Sequence, residues 1–231
     1  MKYNKIKEAI FIERPNRFIA FCQVDGKREK VHVKNTGRCK ELLLEGTRVY
    51  LEESQNPTRQ TKYSLITVEK GSRLINMDSQ SPNQVVYEAL KKGTLCLPEL
   101  EGPLEVIQRE RTYGASRFDF YLETAHQKAF IEVKGVTLEE DNHVLFPDAP
   151  TERGLKHIKE LMTAQKEGYK CYVIFVIQMS GVTYFMPHKE RHAEFARYLE
   201  KASREGVHLL AYECKVTPSS LTLGEPVDVR L

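Results

Sequence analysis

Short runs of alternating apolar and polar residues fill the first third of the chain and predict five β-strands. The runs cover residues 6–13, 18–24, 29–33, 48–52 and 65–69. Asp25-Gly26 predicts a tight hairpin turn between the second and third strands. Residues 35–46 predict a short helix, with Thr36 as its N-cap and Gly46 at its end. Five strands with one helix between the third and the fourth is the order of an OB-fold barrel.

The rest of the chain alternates between helical and strand-like patterns. The predicted helices cover residues 83–92, 151–167 and 189–205. The predicted strands cover residues 104–111, 117–123, 129–134, 172–177 and 207–214. The run at 172–177 is wholly apolar, which is typical of a strand covered on both faces. The sequence therefore predicts an OB-like, nucleic-acid-binding barrel over residues 1–80, followed by an α/β domain with a mixed central sheet over residues 81–231.

Two of these predicted strands, 117–123 and 129–134, carry acids within apolar runs. Asp119 and Glu132 are equally far from the Ala125–His126 step. Because residues equidistant from a hairpin turn face one another, we expect the two carboxylates to be cross-strand neighbours. Lys134, two residues beyond Glu132, falls on the same face of the strand. The pattern therefore predicts two carboxylates and one ammonium group in one place.

Two carboxylates beside a lysine are the groups that a metal-dependent phosphodiesterase uses. Mg²⁺ or Mn²⁺ is held by hard oxygen ligands, and such a metal activates water and neutralises charge on the phosphate. In this interpretation Asp119 and Glu132 are metal ligands, helped by the Val133 carbonyl, and Lys134 stabilises charge electrostatically. The alternative is an ordinary solvated sheet face, on which Lys134 alone offsets the repulsion between the two acids.

The charge of the chain is unevenly distributed. Its net charge is +3, but residues 1–80 contain 16 Lys/Arg and 10 Asp/Glu, whereas residues 81–231 contain 19 and 22. A basic first part beside an acidic second part indicates a polyanion-binding module joined to a carboxylate-bearing one. The surplus is also small enough to serve solubility alone.

The five cysteines form no CxxC pair, which argues against a disulfide framework or a zinc site. The longest apolar run, residues 171–177, is too short to cross a bilayer. The first residues lack the apolar core of a signal peptide. We therefore expect a cytoplasmic protein with no membrane partner.

The second predicted helix starts at Thr151 and carries several titratable side chains. Arg153, Lys156, His157 and Glu160 share one side of it, at spacings of three and four. Cationic side chains beside the free N–H groups of a helix start bind phosphate well, so this segment is a candidate phosphate clamp. The alternative is a solvated face on which Arg153 or Lys156 pairs with Glu160. His157 is either a proton carrier or a partly buried, hydrogen-bonded side chain.

The order of elements resembles the restriction-endonuclease-like nucleases. Their PD-(D/E)xK pattern is similar to Asp119 followed by Glu132-Val-Lys134, although Phe118 stands where the pattern has proline. In those nucleases the preceding helix often supplies a further acid, which implies Glu88 as a third metal ligand here. Two loop acids are alternatives for that place: Asp141 and Asp148.

Four segments together resemble the sugar fermentation stimulation protein A (SfsA) family. They are residues 35–38 (NTGR), 116–119 (SRFD), 132–138 (EVKGVTL) and 146–161 (FPDAPTERGLKHIKEL). The resemblance extends over essentially the whole chain. It implies an N-terminal OB-like domain, a C-terminal restriction-endonuclease-like domain and non-specific DNA binding. The family is also named for a regulatory role in maltose metabolism.

Nucleic-acid contacts are expected from four basic residues: Arg38, Arg117, Arg153 and Lys156. Arg38 has an alternative place against the other domain. The leading expectation is a sequence-independent DNA-binding protein with a Mg²⁺- or Mn²⁺-dependent nuclease site. One alternative is a non-catalytic DNA-binding regulator of sugar metabolism on an inactive nuclease scaffold, and another is a module that uses the barrel alone. Clustered acids favour the enzyme, because without a metal they repel phosphate. Single-stranded DNA, duplex DNA and RNA all stay open as partners.

Overall fold

The computed structural model describes residues 1–35 and 37–231. The first strands are β1 Ile6–Glu13, β2 Ile19–Val24, β3 Lys27–Val33, β4 Arg48–Glu53, β5 Tyr63–Lys70 and β6 Arg73–Asn76. The next are β7 Val106–Tyr113, β8 Ser116–Glu123, β9 Lys128–Val136, β10 Leu138–Glu140, β11 His143–Phe146 and β12 Lys170–Ile177. The last are β13 Tyr184–Pro187, β14 His208–Thr217, β15 Ser220–Pro226 and β16 Asp228–Val229. The helices are α1 Ser81–Lys92, α2 Glu152–Lys166 and α3 Ala193–Arg204. None of the helices described is both long and apolar enough to cross a membrane.

The first five strands close into a barrel. β1 pairs with β2 and β4, β2 with β3, and β4 with β5, all antiparallel. A parallel pairing of β3 with β5 closes the barrel. Asp25 and Gly26 form the turn between β2 and β3 with φ values of 48° and 81°, as a two-residue hairpin turn requires. The predicted OB barrel is confirmed.

The connection between β3 and β4 differs from the prediction. Residues 37–46 form turns instead of the expected helix, and the expected N-cap, Thr36, lies outside the described residues. The guanidinium of Arg14 accounts for the difference, because it donates to the carbonyl oxygens of Gly37 and Arg38 at 2.9 and 2.8 Å. A helix starting here would need those carbonyl groups for its own hydrogen bonds.

The α/β domain is built on a six-stranded sheet in the order β15-β14-β12-β9-β8-β7. The pairs β9–β12 and β12–β14 are parallel, and the pairs toward both edges are antiparallel. Residues 171–177 of β12 are all buried, because helices cover both faces of the sheet. The helix α1 packs with Phe120 and Ile131 on one face, and α2 and α3 pack with Phe118 and Phe175 on the other. The predicted mixed α/β sheet is confirmed.

Several short elements escape prediction from the sequence. β10, β11, β13 and β16 form a separate four-stranded sheet, in which each strand has between two and four residues. Strands of that length carry no periodic signal of their own, and β6 and β15 are also absent from the predicted set. α3 begins at Ala193 instead of residue 189, because residues 188–192 make a turn in which Arg191 and His192 donate to the carbonyl of His188.

Buried hydrogen bonds join the barrel to the α/β domain. Gln178, just after β12, donates through its amide to Asn76 at the end of β6 and to Ser81 at the start of α1, at 2.9 and 3.2 Å. Glu139 of β10 accepts from Lys70 of β5 at 2.5 Å. These contacts hold the barrel in place beside the strands that carry the acidic residues.

Candidate functional site

Asp119 and Glu132 lie side by side on neighbouring strands. Phe120 pairs with Ile131 at the end of the β8–β9 ladder, and Asp119 and Glu132 are the next residues on the two strands. Asp119 Oδ2 accepts from the Val133 N–H at 2.7 Å. The hairpin symmetry seen in the sequence is therefore present in the structure, without a bulge between the acids and the turn.

Glu132 is buried, and its two carboxylate oxygens have different surroundings. Oε1 accepts from Lys134 Nζ at 2.6 Å and from His157 Nδ1 at 2.5 Å. Oε2 is buried and has no hydrogen-bond partner among the residues that the structure describes. A buried carboxylate oxygen without a partner is costly. It is the clearest indication in this region that a further group belongs beside it.

The pKa values of the two acids are shifted in opposite directions. Burial, and then the charge of Glu132, raises the pKa of Asp119 above its ordinary value, and hydrogen bonds from Val133 and Asn83 offset this only in part. Burial also opposes ionisation of Glu132, but the charge of Lys134 and the hydrogen bond from His157 outweigh it, so the pKa of Glu132 is lowered. With one cation for two acids, the site favours an additional positive charge.

The residue of helix α1 that contacts Asp119 is Asn83, whereas Glu88 has other partners. Asn83 Nδ2 donates to Asp119 Oδ1 at 2.7 Å. The carboxylate of Glu88 accepts from the Met1 ammonium at 2.8 Å and from Gln84 at 3.0 Å. Sequence reasoning missed Asn83, because its contact depends on how α1 packs across β8, and no local pattern marks it.

The start of α2 carries the predicted clamp residues. Thr151 is the N-cap as predicted, since its hydroxyl accepts from the Gly154 N–H. Lys156 Nζ donates to the Ala115 carbonyl at 2.6 Å, and Arg153 Nε lies 3.5 Å from His157 Nε2. Neither cation pairs with Glu160 within the described part of the chain. His157 is buried and bound to Glu132, which links the exposed clamp to the acidic pair.

Other predicted residues lie farther from the acids. Arg117 is exposed and lies 3.5 Å from Glu110. Arg38 is exposed and lines a cleft of about 520 Å³ between the barrel and the loop that leads to α2. Asp148 lines the same cleft and lies against Gly37, where an added Cβ would collide with its carboxylate. Asp141 is exposed in the turn between β10 and β11. Among residues 1–35 and 37–231, no three His, Cys, Asp or Glu side chains are grouped so as to hold a metal ion.

Comparison with known proteins places the chain in a family. A model described as the SfsA N-terminal OB domain matches residues 12–77, and one described as the sugar fermentation stimulation protein RE domain matches residues 80–220. The sugar fermentation stimulation protein homologs of Ruminiclostridium cellulolyticum and Clostridium beijerinckii are 54% and 53% identical to it over 231 residues, with all of each chain covered. A solved structure, Pyrococcus furiosus SfsA in complex with Ca²⁺, has a TM-score of 0.88 at 27% identity and covers 100% of this chain and 98% of its own. The chain therefore belongs to the sugar fermentation stimulation protein (SfsA) family.

Proposed function

We propose that this protein binds DNA without sequence preference and hydrolyses phosphodiester bonds with the help of a divalent cation. The observation that carries the proposal is the half-buried Asp119 next to the buried Glu132, with Lys134 beside them and Glu132 Oε2 without a partner among the described residues. This trio at the end of a β-hairpin supports a restriction-endonuclease-like α/β domain.

The residues present fit Mg²⁺ or Mn²⁺. The donors are carboxylate oxygens, which hard divalent cations prefer, and the unpartnered Oε2 is one of them. Asp119 and Glu132 would hold the ion, and a cation there would relieve the repulsion from Glu132 that, after burial, raises the pKa of Asp119. The Ca²⁺ in the solved structure of a 27% identical relative is consistent with a divalent cation in the family. When bound, the ion would activate a water and neutralise charge on the phosphate.

The surrounding side chains have separate tasks in this proposal. Asn83 and the Val133 N–H hold the Asp119 carboxylate in one orientation. Lys134 and His157 hold Glu132 through Oε1, which leaves Oε2 for the cation. The Lys134 ammonium also lies where it would stabilise negative charge developing on a phosphate at the acids.

Basic residues around the site would hold the DNA backbone. Arg153 and Lys156 are exposed at the start of α2. Arg153 lies one helical turn before His157, which contacts Glu132, and Lys156 is the residue next to it. Arg38 lines the cleft between the domains, and Arg117 is exposed on β8. Contacts of this kind give affinity that is independent of sequence and falls steeply with salt.

The direct test is cleavage of single-stranded and duplex DNA in Mg²⁺ or Mn²⁺. We expect wild-type protein to cut DNA, and Asp119→Ala and Lys134→Ala to lose the activity. Lys128→Ala is the matched control, because Lys128 is exposed on the same strand β9. Cleavage that survives in Asp119→Ala, or that needs no divalent cation, would contradict the proposal.

One observation favours a second function, in which the protein binds DNA as a non-catalytic regulator of sugar metabolism. The carboxylate of Glu88, the third acid expected near the site, is held by the Met1 ammonium and Gln84. A scaffold with two acids and no third ligand would keep its DNA contacts without cutting. DNA binding with no cleavage by wild-type protein in any divalent cation would select this function.

A further inference from the structure

A cavity of about 190 Å³ lies between the barrel and the α/β domain, and we call it the interdomain cavity. Asn35 and Gly37, from the loop after β3, form one wall, and residues 135–138 and 145–148 form much of the rest. Its volume is several times the roughly 30 Å³ that one water molecule occupies, so it has room for more than a bridging water. The cavity adjoins the 520 Å³ cleft, because Gly37, Phe146 and Asp148 line both.

The side-chain oxygen of Gln178 is a hydrogen-bond acceptor on the wall of this cavity. Gln178 is 2% exposed, and its amide nitrogen donates to Asn76 and Ser81. No residue in the described part of the chain donates to its Oε1. Oε1 lies beside Gly135 of the cavity wall, where an added Cβ would be 2.7 Å from it. A buried acceptor without a donor is costly, so a ligand that donates at this place is favoured.

The carboxylate of Asp148 is a second acceptor on the wall. Among residues 1–35 and 37–231, the one hydrogen bond to Asp148 comes from Arg191 and goes to the main-chain oxygen, at 2.8 Å. Its Oδ2 lies beside Gly37, where an added Cβ would collide with it. Because neither Gly37 nor Gly135 has a Cβ, the space beside both acceptors stays open.

One donor and an apolar surface complete the interdomain cavity. Asn35 Oδ1 accepts from the Gly37 N–H at 2.7 Å, which leaves the amide NH₂ group of Asn35 for a ligand. The side chains of Val136, Leu138 and Phe146 are the apolar part. A carboxylate, an amide oxygen and an amide NH₂ group beside an aromatic ring fit a flat heterocycle that carries neighbouring N–H donors.

The cleft outside this cavity adds positive charge. Arg17 and Arg38 line it on the side of the barrel, and both are exposed. Their guanidinium groups attract an anionic group such as phosphate, whereas the carboxylate of Asp148 repels it from the inner cavity. The charges therefore orient a ligand that has a heterocycle at one end and a phosphate at the other, with the heterocycle inside.

We propose that the interdomain cavity and the cleft together bind a guanine nucleotide. The base would occupy the cavity, where Asp148 accepts from the N1–H and amino groups of guanine and Asn35 donates to O6. The phosphate would contact Arg17 and Arg38 in the cleft. The proposal goes beyond the proposed function, because it does not require the two acids of the candidate cation site.

Guanine fits these groups better than adenine does. The pairing edge of guanine has two neighbouring N–H donors and one acceptor oxygen, which matches the carboxylate of Asp148 and the NH₂ group of Asn35. The same edge of adenine has an unprotonated N1, whose lone pair would face the carboxylate and leave it without a donor. A site built to receive a donor rejects the analogue that lacks it.

Calorimetric titration of dGMP and dAMP without divalent cation tests the base site. We expect wild type to bind dGMP about tenfold or more tightly than dAMP. Asp148→Asn, which keeps the shape of the side chain, should weaken dGMP binding about ten- to a hundredfold. The matched control is Asp141→Asn, at an exposed loop acid, which should bind dGMP like wild type. Unchanged dGMP affinity in Asp148→Asn, or equal affinity of wild type for the two nucleotides, would refute the base site.

A second pair of variants tests the phosphate contact. Arg38→Ala should weaken binding of dGMP about tenfold and leave binding of deoxyguanosine unchanged, because the nucleoside has no phosphate. Arg48→Ala, which removes an exposed arginine from β4 of the same barrel, should bind both like wild type. An equal loss of dGMP and deoxyguanosine binding in Arg38→Ala would refute the phosphate contact.

A competition experiment distinguishes a free nucleotide from one within a strand. Oligothymidine of about 20 nucleotides, with or without one central dG, is titrated into the dGMP complex. Displacement of dGMP only by the dG-containing strand would support a nucleotide within DNA as the ligand, and displacement by neither strand would support the free nucleotide. Equal displacement by both strands would contradict base recognition. If wild type does not bind dGMP, the nucleotide site is refuted and the nuclease proposal stands; dGMP binding without DNA cleavage would have the opposite meaning.

Discussion

Two buried glutamates seven residues apart, Glu132 on β9 and Glu139 on β10, differ in how many partners their carboxylate oxygens have. Both are almost inaccessible to solvent, at 3% and 6% exposure. Both have lowered pKa values, because cationic neighbours and hydrogen bonds outweigh the opposing effect of burial. They differ in how completely the protein satisfies their oxygens.

Every oxygen of Glu139 has a partner. Oε1 accepts from the Asn142 N–H at 2.8 Å and lies 3.1 Å from Arg73, and Oε2 accepts from Lys70 at 2.5 Å. In Glu132 both donors meet at Oε1, and Oε2 has none among the described residues. A fully satisfied buried carboxylate is a structural link, here between barrel and sheet. The half-satisfied carboxylate of Glu132 is the one that we propose as a cation ligand.

The largest expected difference between the two glutamates is in DNA cleavage. Glu132→Gln should lower the Mg²⁺-dependent cleavage rate by about a hundredfold or more, since loss of a ligand should exceed the effect of losing an outer-shell partner. Glu139→Gln should cleave like wild type when equal amounts of folded protein are compared. The cleavage rates are measured on a labelled DNA substrate. An equal loss of cleavage in both variants would contradict the proposed difference between the two glutamates.

For protein stability, by contrast, we expect a large effect from substitution of Glu139. Glu139→Ala leaves the Lys70 and Arg73 cations at the domain junction without their anion, so we expect the free energy of unfolding to fall by about 3 kcal/mol. Denaturant titration followed by circular dichroism measures this change. Arg48→Ala, at an exposed ion pair with Glu8, is the control and should change stability by less than about 1 kcal/mol. If the Glu139→Ala protein were as stable as wild type, the contacts of Glu139 with Lys70 and Arg73 would not stabilise the packing of the barrel against the α/β domain.

His157 offers a further test of the comparison, because it contacts Glu132 through Oε1 and not through the oxygen that we propose as the cation ligand. His157→Ala should weaken Ca²⁺ binding about tenfold, and His157→Gln, which keeps a donor, should recover part of the loss. The control is His126→Ala, at the exposed turn of the same hairpin. Isothermal titration calorimetry gives the affinities, and unchanged Ca²⁺ affinity in His157→Ala would refute the positioning role.

The smallest expected effect is the pH dependence of the stability that Glu139 contributes. The pKa of Glu139 is lower in the folded protein than its ordinary value, so its contribution to stability is present above the ordinary pKa and disappears as pH falls through the lowered one. The stability difference between wild type and Glu139→Gln should therefore be constant near neutral pH and shrink in acid. Denaturant titrations over a pH series measure it, and a difference that grows toward acid pH would contradict the sign.

The sequence predicts best what is local. The closeness of Asp119 and Glu132 follows from hairpin symmetry and needs no knowledge of the rest of the fold. The same holds for the Asp25-Gly26 turn and for the Thr151 N-cap, each of which depends on a few adjacent residues. These predictions succeed because strand alternation and capping are properties of the segment itself.

Contacts between distant elements are what the sequence does not supply. Glu88 and Asn83 share a helix, and only the packing of α1 on β8 decides that Asn83 meets Asp119. The bond from His157 to Glu132 spans 25 residues and depends on how α2 covers the sheet. The missing helix at 37–46 has the same cause, since Arg14 reaches across from the end of β1 to occupy the carbonyl groups.

The measurement that tests the central claim most directly is a calorimetric titration of Ca²⁺ into wild type, Glu132→Gln and Glu139→Gln without DNA. Ca²⁺ has the same preference for oxygen ligands as Mg²⁺, so the titration reports the ion site separately from catalysis. We predict that wild type and Glu139→Gln bind one ion with similar affinity, and that Glu132→Gln does not bind. Equal binding by all three proteins, or none by wild type, would contradict the assignment of Glu132 Oε2 as a cation ligand.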